Sequence, residues 1–155
     1  AVEQTREPKV LVMATPMTIR EEKFRHLFLR YANDALIEPL PCPGLMEYVE
    51  RGEYETGEVN EFLEELLEPY RGGRINAVVI GCTHYTFVTP IIERIMGPEV
   101  KVFDGAYGTA KELKRRIEAA GLLRPDDGHS GKVVFESSDP SPEKTALCEE
   151  LLRLP

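Results

Sequence analysis

Ala77-Val78-Val79-Ile80-Gly81-Cys82-Thr83-His84-Tyr85 decides how this chain is read. Its first four residues form a short, unbroken apolar run, the pattern of a buried strand. Gly81 lets the backbone turn sharply where the run ends. A thiol, a hydroxyl and an imidazole then follow in consecutive positions. In open α/β sheets ligands bind at the carboxyl ends of strands, so this tip is a candidate for chemistry. Cys82 and His84 are close enough in sequence to share one site, and a hydrogen-bonding or cationic neighbour favours the reactive thiolate. The alternative is plain: a cysteine at a strand end is often a small core residue, and a lone histidine a satisfied polar group.

Outward from this stretch, strands and helices alternate. Val10–Ala14 reads as a second buried strand, followed by a turn at Thr15-Pro16-Met17-Thr18. Thr18 with Glu21 three residues on forms a capping-box pattern. Phe24, Leu27, Phe28 and Tyr31 then recur at helical spacing, and His26 falls off that stripe. Ala35–Pro39 reads as a strand, Pro41-Cys42-Pro43-Gly44 as a loop, and Leu45–Val49 as a short helix. A longer helix from Thr56 puts Val59, Phe62, Leu63, Leu66 and Leu67 on one face and stops at Arg71-Gly72-Gly73. Downstream come a helix to Met96, a strand Val100–Phe103 and a helix from Thr109 to Ala120, with Gly121 as a good C′ residue. Leu122–Gly131, including His129, is linker-like. A strand at Lys132–Phe135 and a helix opening at Ser141-Pro142 complete the chain, with Leu147, Cys148, Leu151 and Leu152 on one helix face. This alternation predicts an α/β fold, a parallel sheet flanked by helices.

Composition bounds the function. The chain has 155 residues, 42% hydrophobic and 30% charged, with a net charge of −8. That size supports a real core. The acidic balance argues against nucleic acid as a partner, because a phosphate backbone is repelled. No apolar run approaches the roughly 18 residues of a membrane span, and no signal peptide opens the chain. Cys42, Cys82 and Cys148 are odd in number and widely spaced, the pattern of reduced thiols in a cytoplasmic protein. No spacing suggests a metal site and no glycine-rich phosphate loop is present, so no cofactor is demanded.

The stretch Gly81–Tyr85 resembles the second catalytic-cysteine motif of the glutamate racemases, "GCTHYPLL". Val12–Arg20 is similar to that family's "ATxGTI" segment, Cys42-Pro43 through Glu50-Arg51-Gly52 to its "CP…LVExG" segment, and Asp104 with the following helix to its "IDS…A" segment. Met17, Thr86-Phe87 and Gly105 depart from these patterns. The resemblance implies two α/β domains facing across a cleft, without a cofactor, with one cysteine from each flanking the α-carbon of glutamate. It implies that Cys82 is one proton-transfer thiol, that His84 assists it and that Thr83 binds substrate. Thr15 and Thr18 match substrate-binding positions, although Thr18 has a competing reading as a helix cap. Glu50 looks like the acidic residue that orients His84, with a solvent-exposed glutamate as the alternative. Cys42 matches a position without a proton-transfer role.

The segments "DSGxGG" and "CNTA" of the family's N-terminal domain, the second carrying the other cysteine, do not occur here, and the chain opens on Ala1. The resemblance therefore implies the C-terminal portion of a bacterial racemase that supplies D-glutamate for peptidoglycan. Residues 1–103 would form the second domain and residues 104–155 a segment completing the missing N-terminal racemase domain. The isolated chain is expected to be inactive unless a homodimer brings two Cys82 side chains together. An aspartate racemase or related isomerase, and a non-catalytic α/β binding domain, are the alternatives.

Overall fold

The computed structural model describes residues 1–125, 128, 131–138 and 141–154. Two compact units divide it, residues 1–105 and 106–155. The first is built on four strands: β1 (Lys9–Ala14), β2 (Leu36–Pro41), β3 (Ala77–Ile80) and β4 (Lys101–Phe103). They form one parallel sheet in the order β2-β1-β3-β4. Its helices are α1 (Pro16–Arg20), α2 (Glu22–Tyr31), α3 (Leu45–Glu50), α4 (Gly57–Leu67) and α5 (Thr89–Met96), with a 3-10 helix at Thr83–Val88. The alternation of strand and helix yields the parallel, helix-flanked sheet expected of it.

The register explains the burial. Leu11 pairs with Val78 and Met13 with Ile80, and side chains alternate across a strand. These four, with Leu45, Val49, Val59, Leu63, Leu67 and Ile92 of the helices, are buried and form the core. Val12 and Val79 pair on the opposite face and are only half-buried. There they line a groove of about 380 Å³ with Phe24, Leu27, Phe28 and Tyr31. The apolar stripe of α2 thus faces the groove, yet no residue of α2 is buried and Leu27 is 55% exposed.

β2 holds two prolines and lies at the sheet edge. Leu36 and Cys42 donate their backbone N–H groups to Pro8 and Ala14 on the β1 side. Successive N–H groups alternate in direction, so even-numbered residues bond inward and Pro39 and Pro41 stand on the outer rim, where no ladder donor is lost. The strand therefore extends to Pro41, two residues past the expected end.

Local caps correct one expectation. Thr18 does not open the second helix. Thr15 caps α1, its hydroxyl accepting from the Thr18 N–H, and α1 breaks at Glu21, which precedes α2. Pro16 at the first helical position moved the start upstream, since proline is pre-organised there. Thr56 caps α4 by accepting from the Val59 N–H. His26 is exposed beside Glu22, as its position off the stripe implied.

The second unit contains α6 (Ala106–Ala119) and α7 (Pro142–Leu151). α6 starts three residues before the expected Thr109. On it Glu112 accepts from Arg115 and Arg116, and these two guanidinium groups pull its carboxyl down to about 2. Ser141 caps α7, accepting from the Lys144 N–H. No residue of α7 is buried, so Cys148 is half-buried rather than core. The expected strand Lys132–Phe135 is not formed: these residues carry no regular structure and Val134 is 73% exposed. β-propensity alone does not make a strand, which needs a partner ladder and a face to pack. His129 lies outside the described residues.

Candidate active site at the carboxyl ends of the strands

The site begins with a close approach of backbones. Gly81 donates its N–H to the Met13 carbonyl at 2.7 Å. A Cβ on Gly81 would stand 3.0 Å from both that oxygen and the Ala14 Cβ. A residue without a side chain lets β3 leave the sheet flush against β1. Met13 and Ile80 are register partners, so Thr15 and Cys82 each stand two residues beyond one rung. Both leave the sheet at the same edge, on neighbouring strands.

Cys82 precedes the 3-10 helix in extended backbone, and its carbonyl accepts from the Tyr85 N–H. That tight turn brings residues 82 and 84 onto one side. Cys82 Sγ lies 3.7 Å from His84 Nδ1, and His84 Nε2 lies 2.8 Å from Glu50 Oε1. An ionised carboxylate only accepts. With Glu50 ionised, Nε2 carries the proton and donates to it, and in the neutral imidazole Nδ1 is then the atom that accepts from the thiol. The three residues make one line, carboxylate to imidazole to sulfur. Cys82 is half-buried, while His84 and Glu50 are 31% and 46% exposed in their side chains.

Thr83 is exposed on the first turn of the 3-10 helix. The Thr15 and Thr18 hydroxyls are 2.9 Å apart and half-buried. Thr15 is engaged as a cap, whereas Thr18 keeps hydroxyl capacity beyond that contact. Cys42 is of another kind. It is 1% exposed, its thiol donates to the Leu40 carbonyl, and burial pushes it up to about 12. Such a thiol stays protonated and packs. Among the described residues, no cluster of three or more His, Cys, Asp or Glu is placed to hold a metal ion, and no helix is long and apolar enough to cross a membrane.

One contributor escaped the sequence reading. Tyr85 is fully buried, and its hydroxyl donates to the Cys42 carbonyl at 3.0 Å. A buried tyrosine needs a partner for its hydroxyl, but nothing in the sequence names a carbonyl 43 residues away.

Known proteins resemble the chain in sequence and in fold. No family model matches the chain. It is 45% identical over 128 residues to a glutamate racemase of Clostridium perfringens, a match covering 83% of this chain and 49% of the relative. It is 38% identical over 152 residues to that of Clostridium novyi, covering 98% of this chain and 59% of the relative. Among solved structures, glutamate racemase from Thermus thermophilus superposes with a TM-score of 0.71 at 30% identity, over 92% of this chain and 52% of that one. The parallel α/β fold, taken with these matches, defines a domain of racemase type. The chain belongs to the glutamate racemase family, and it spans about half the length of the curated relatives it matches.

Proposed function

We propose that this chain is the C-terminal portion of a cofactor-independent racemase that interconverts L- and D-glutamate. The observation that carries this is the line Glu50–His84–Cys82, at 2.8 and 3.7 Å, at the strand ends of a glutamate racemase homologue. His84 Nδ1 takes the thiol proton of Cys82, and Glu50 steadies the imidazolium that results. The Cys82 thiolate then takes the α-proton from one face of the substrate, forming S–H and leaving a carbanion. A second thiol, carried by the N-terminal half of the enzyme, returns a proton to the opposite face. In the reverse direction the two exchange roles, and Cys82 donates the proton it holds. Thr83, with Thr15 and Thr18, supplies hydroxyl and backbone donors for the carboxylate and amino groups. Fixed donors of this kind stabilise the developing negative charge.

In this reading residues 1–103 belong to the second racemase domain and residues 104–155 return to the first. The whole enzyme works in the bacterial cytoplasm, supplying D-glutamate to the cell wall. The test is circular-dichroism detection of D- to L-glutamate conversion by the purified, reduced chain, alone and with the matching N-terminal half added. Activity only on complementation, lost in Cys82→Ala, is the expected result. Equal conversion by the Cys82→Ala variant refutes the assignment of the thiol. Conversion by the isolated chain points instead to a homodimer that juxtaposes two copies of Cys82.

A further inference from the structure

The line of three residues contains a weak joint. The His84–Glu50 pair is substantially exposed, and exposed ion pairs hold little by themselves. Such a pair does not set its own geometry, so something buried beneath it must. Two segments have to be held in register: the turn bearing Cys82 and His84, and helix α3, which ends at Glu50. Cys42 stands just ahead of α3 and is anchored to the sheet, its N–H donating to the Ala14 carbonyl at 3.0 Å. Gly44, at φ +87°, turns the chain into α3, whose Leu45 and Val49 are buried. Tyr85 is tied at its other end to the Cys82 carbonyl through its own N–H at 3.1 Å.

We propose that Tyr85 is a positioning residue, whose buried hydroxyl bond to the Cys42 carbonyl fixes the turn of Cys82 and His84 against the start of α3 and so keeps His84 aligned on Glu50. The inference rests on the role given above to Glu50 and His84. Tyr85 hydrogen-bonds two backbone carbonyls, those of Cys42 and Cys82, and none of the three side chains of the line. It acts as a strut between two strand-end loops, rigid because the ring is fully packed and the hydroxyl bond is desolvated, where a hydrogen bond is strongest.

The test reads Cys82 alone. The folded 155-residue chain is alkylated with iodoacetamide across a pH series, and modification is followed on the tryptic peptide of residues 75–94, whose one cysteine is Cys82. Tyr85→Phe keeps the ring and removes the hydroxyl. It is made also in a Gly57→Ala background, so that the loss of one bond does not cost the fold. Glu50→Gln and the double variant complete the cycle, and Val59→Ala, at a buried position of α4 outside the line of three, serves as a destabilised control.

The expected result is that Tyr85→Phe slows Cys82 alkylation at pH 7 about three- to tenfold, the range set by one hydrogen bond. Its pH profile moves in the same sense as that of Glu50→Gln, and the double variant adds nothing to Glu50→Gln. Val59→Ala keeps the parent profile. If Glu50→Gln shifts the profile and Tyr85→Phe does not, the strut is overturned while the Glu50 reading stands. Additive effects also overturn it, because Tyr85 would then act independently of Glu50. If Glu50→Gln leaves the profile unchanged, the role of Glu50 fails and the strut falls with it.

Discussion

Replacing Gly81 by alanine tests whether the approach of β3 to β1 is as tight as the geometry implies. The new Cβ would meet the Met13 oxygen and the Ala14 Cβ at 3.0 Å, where ordinary contact starts at 3.4 Å. Neither neighbour is the free end of a side chain. β1 is paired on both sides, to β2 and β3, so it cannot retreat without straining a second ladder. Overpacking of this kind costs about 1–3 kcal/mol. Against it, alanine restricts the unfolded chain and returns about 0.4–1 kcal/mol. The net expectation is a loss of about 1–2 kcal/mol, or roughly 4–15 °C in Tm for a domain of this size. Gly57 is the internal reference, since a Cβ there meets nothing within 4 Å. Gly57→Ala should raise Tm where Gly81→Ala lowers it. Thermal unfolding followed by far-ultraviolet circular dichroism measures both. A Tm for Gly81→Ala equal to or above the parent refutes the close-approach argument.

Thr56→Ala removes the cap of α4 and should cost about 1 kcal/mol, measured by urea denaturation. Leu63→Ala, in the sealed core, should cost about 2–5 kcal/mol, whereas Leu27→Ala on the open groove should cost well under half of that in the same assay. Cys42 should resist iodoacetamide at pH 8 in the folded chain while Cys82 is modified, as peptide mapping will report. The thiol of Cys42 is raised from 9.0 to about 12 on folding, so its contribution is fully retained below pH 9. Above that the unfolded chain sheds the proton first and stability falls as pH rises. Cys42→Ala should therefore flatten the decline in urea midpoint between pH 8 and pH 10.5, and an unchanged slope contradicts the burial argument.

What the sequence disclosed depended on how local the cause was. β1 and β3 were legible because apolar runs of that length are buried strands whatever surrounds them. The cap at Ser141 was legible because an N-cap acts within three residues, and Thr56 was read only as the start of α4. Thr18 misled because two capping patterns overlapped and the proline at position 16 decided between them. Pro39 and Pro41 obscured the end of β2, since only the sheet order reveals that they face outward. Val133, Val134 and Phe135 read as a strand, but propensity without a partner made none. Within the site, Cys82 and His84 were adjacent in sequence and visible together. The His84–Glu50 contact spans 34 residues and was reached only through the family resemblance. The Tyr85 hydroxyl bond was not reached at all, because its acceptor is a backbone carbonyl and bears no residue-type signature.

The prolines of β2 also bear on how this sheet can grow. Along its outer rim the outward backbone positions are residues 37, 39 and 41, and only Ile37 has a proton to offer. An incoming strand would find one donor where a ladder requires a series, so this side is closed to strand addition. β4, at the opposite edge of the sheet, has no proline. Extension of the sheet, whether by another part of a longer chain or by an unwanted neighbour during folding, is directed to one side only.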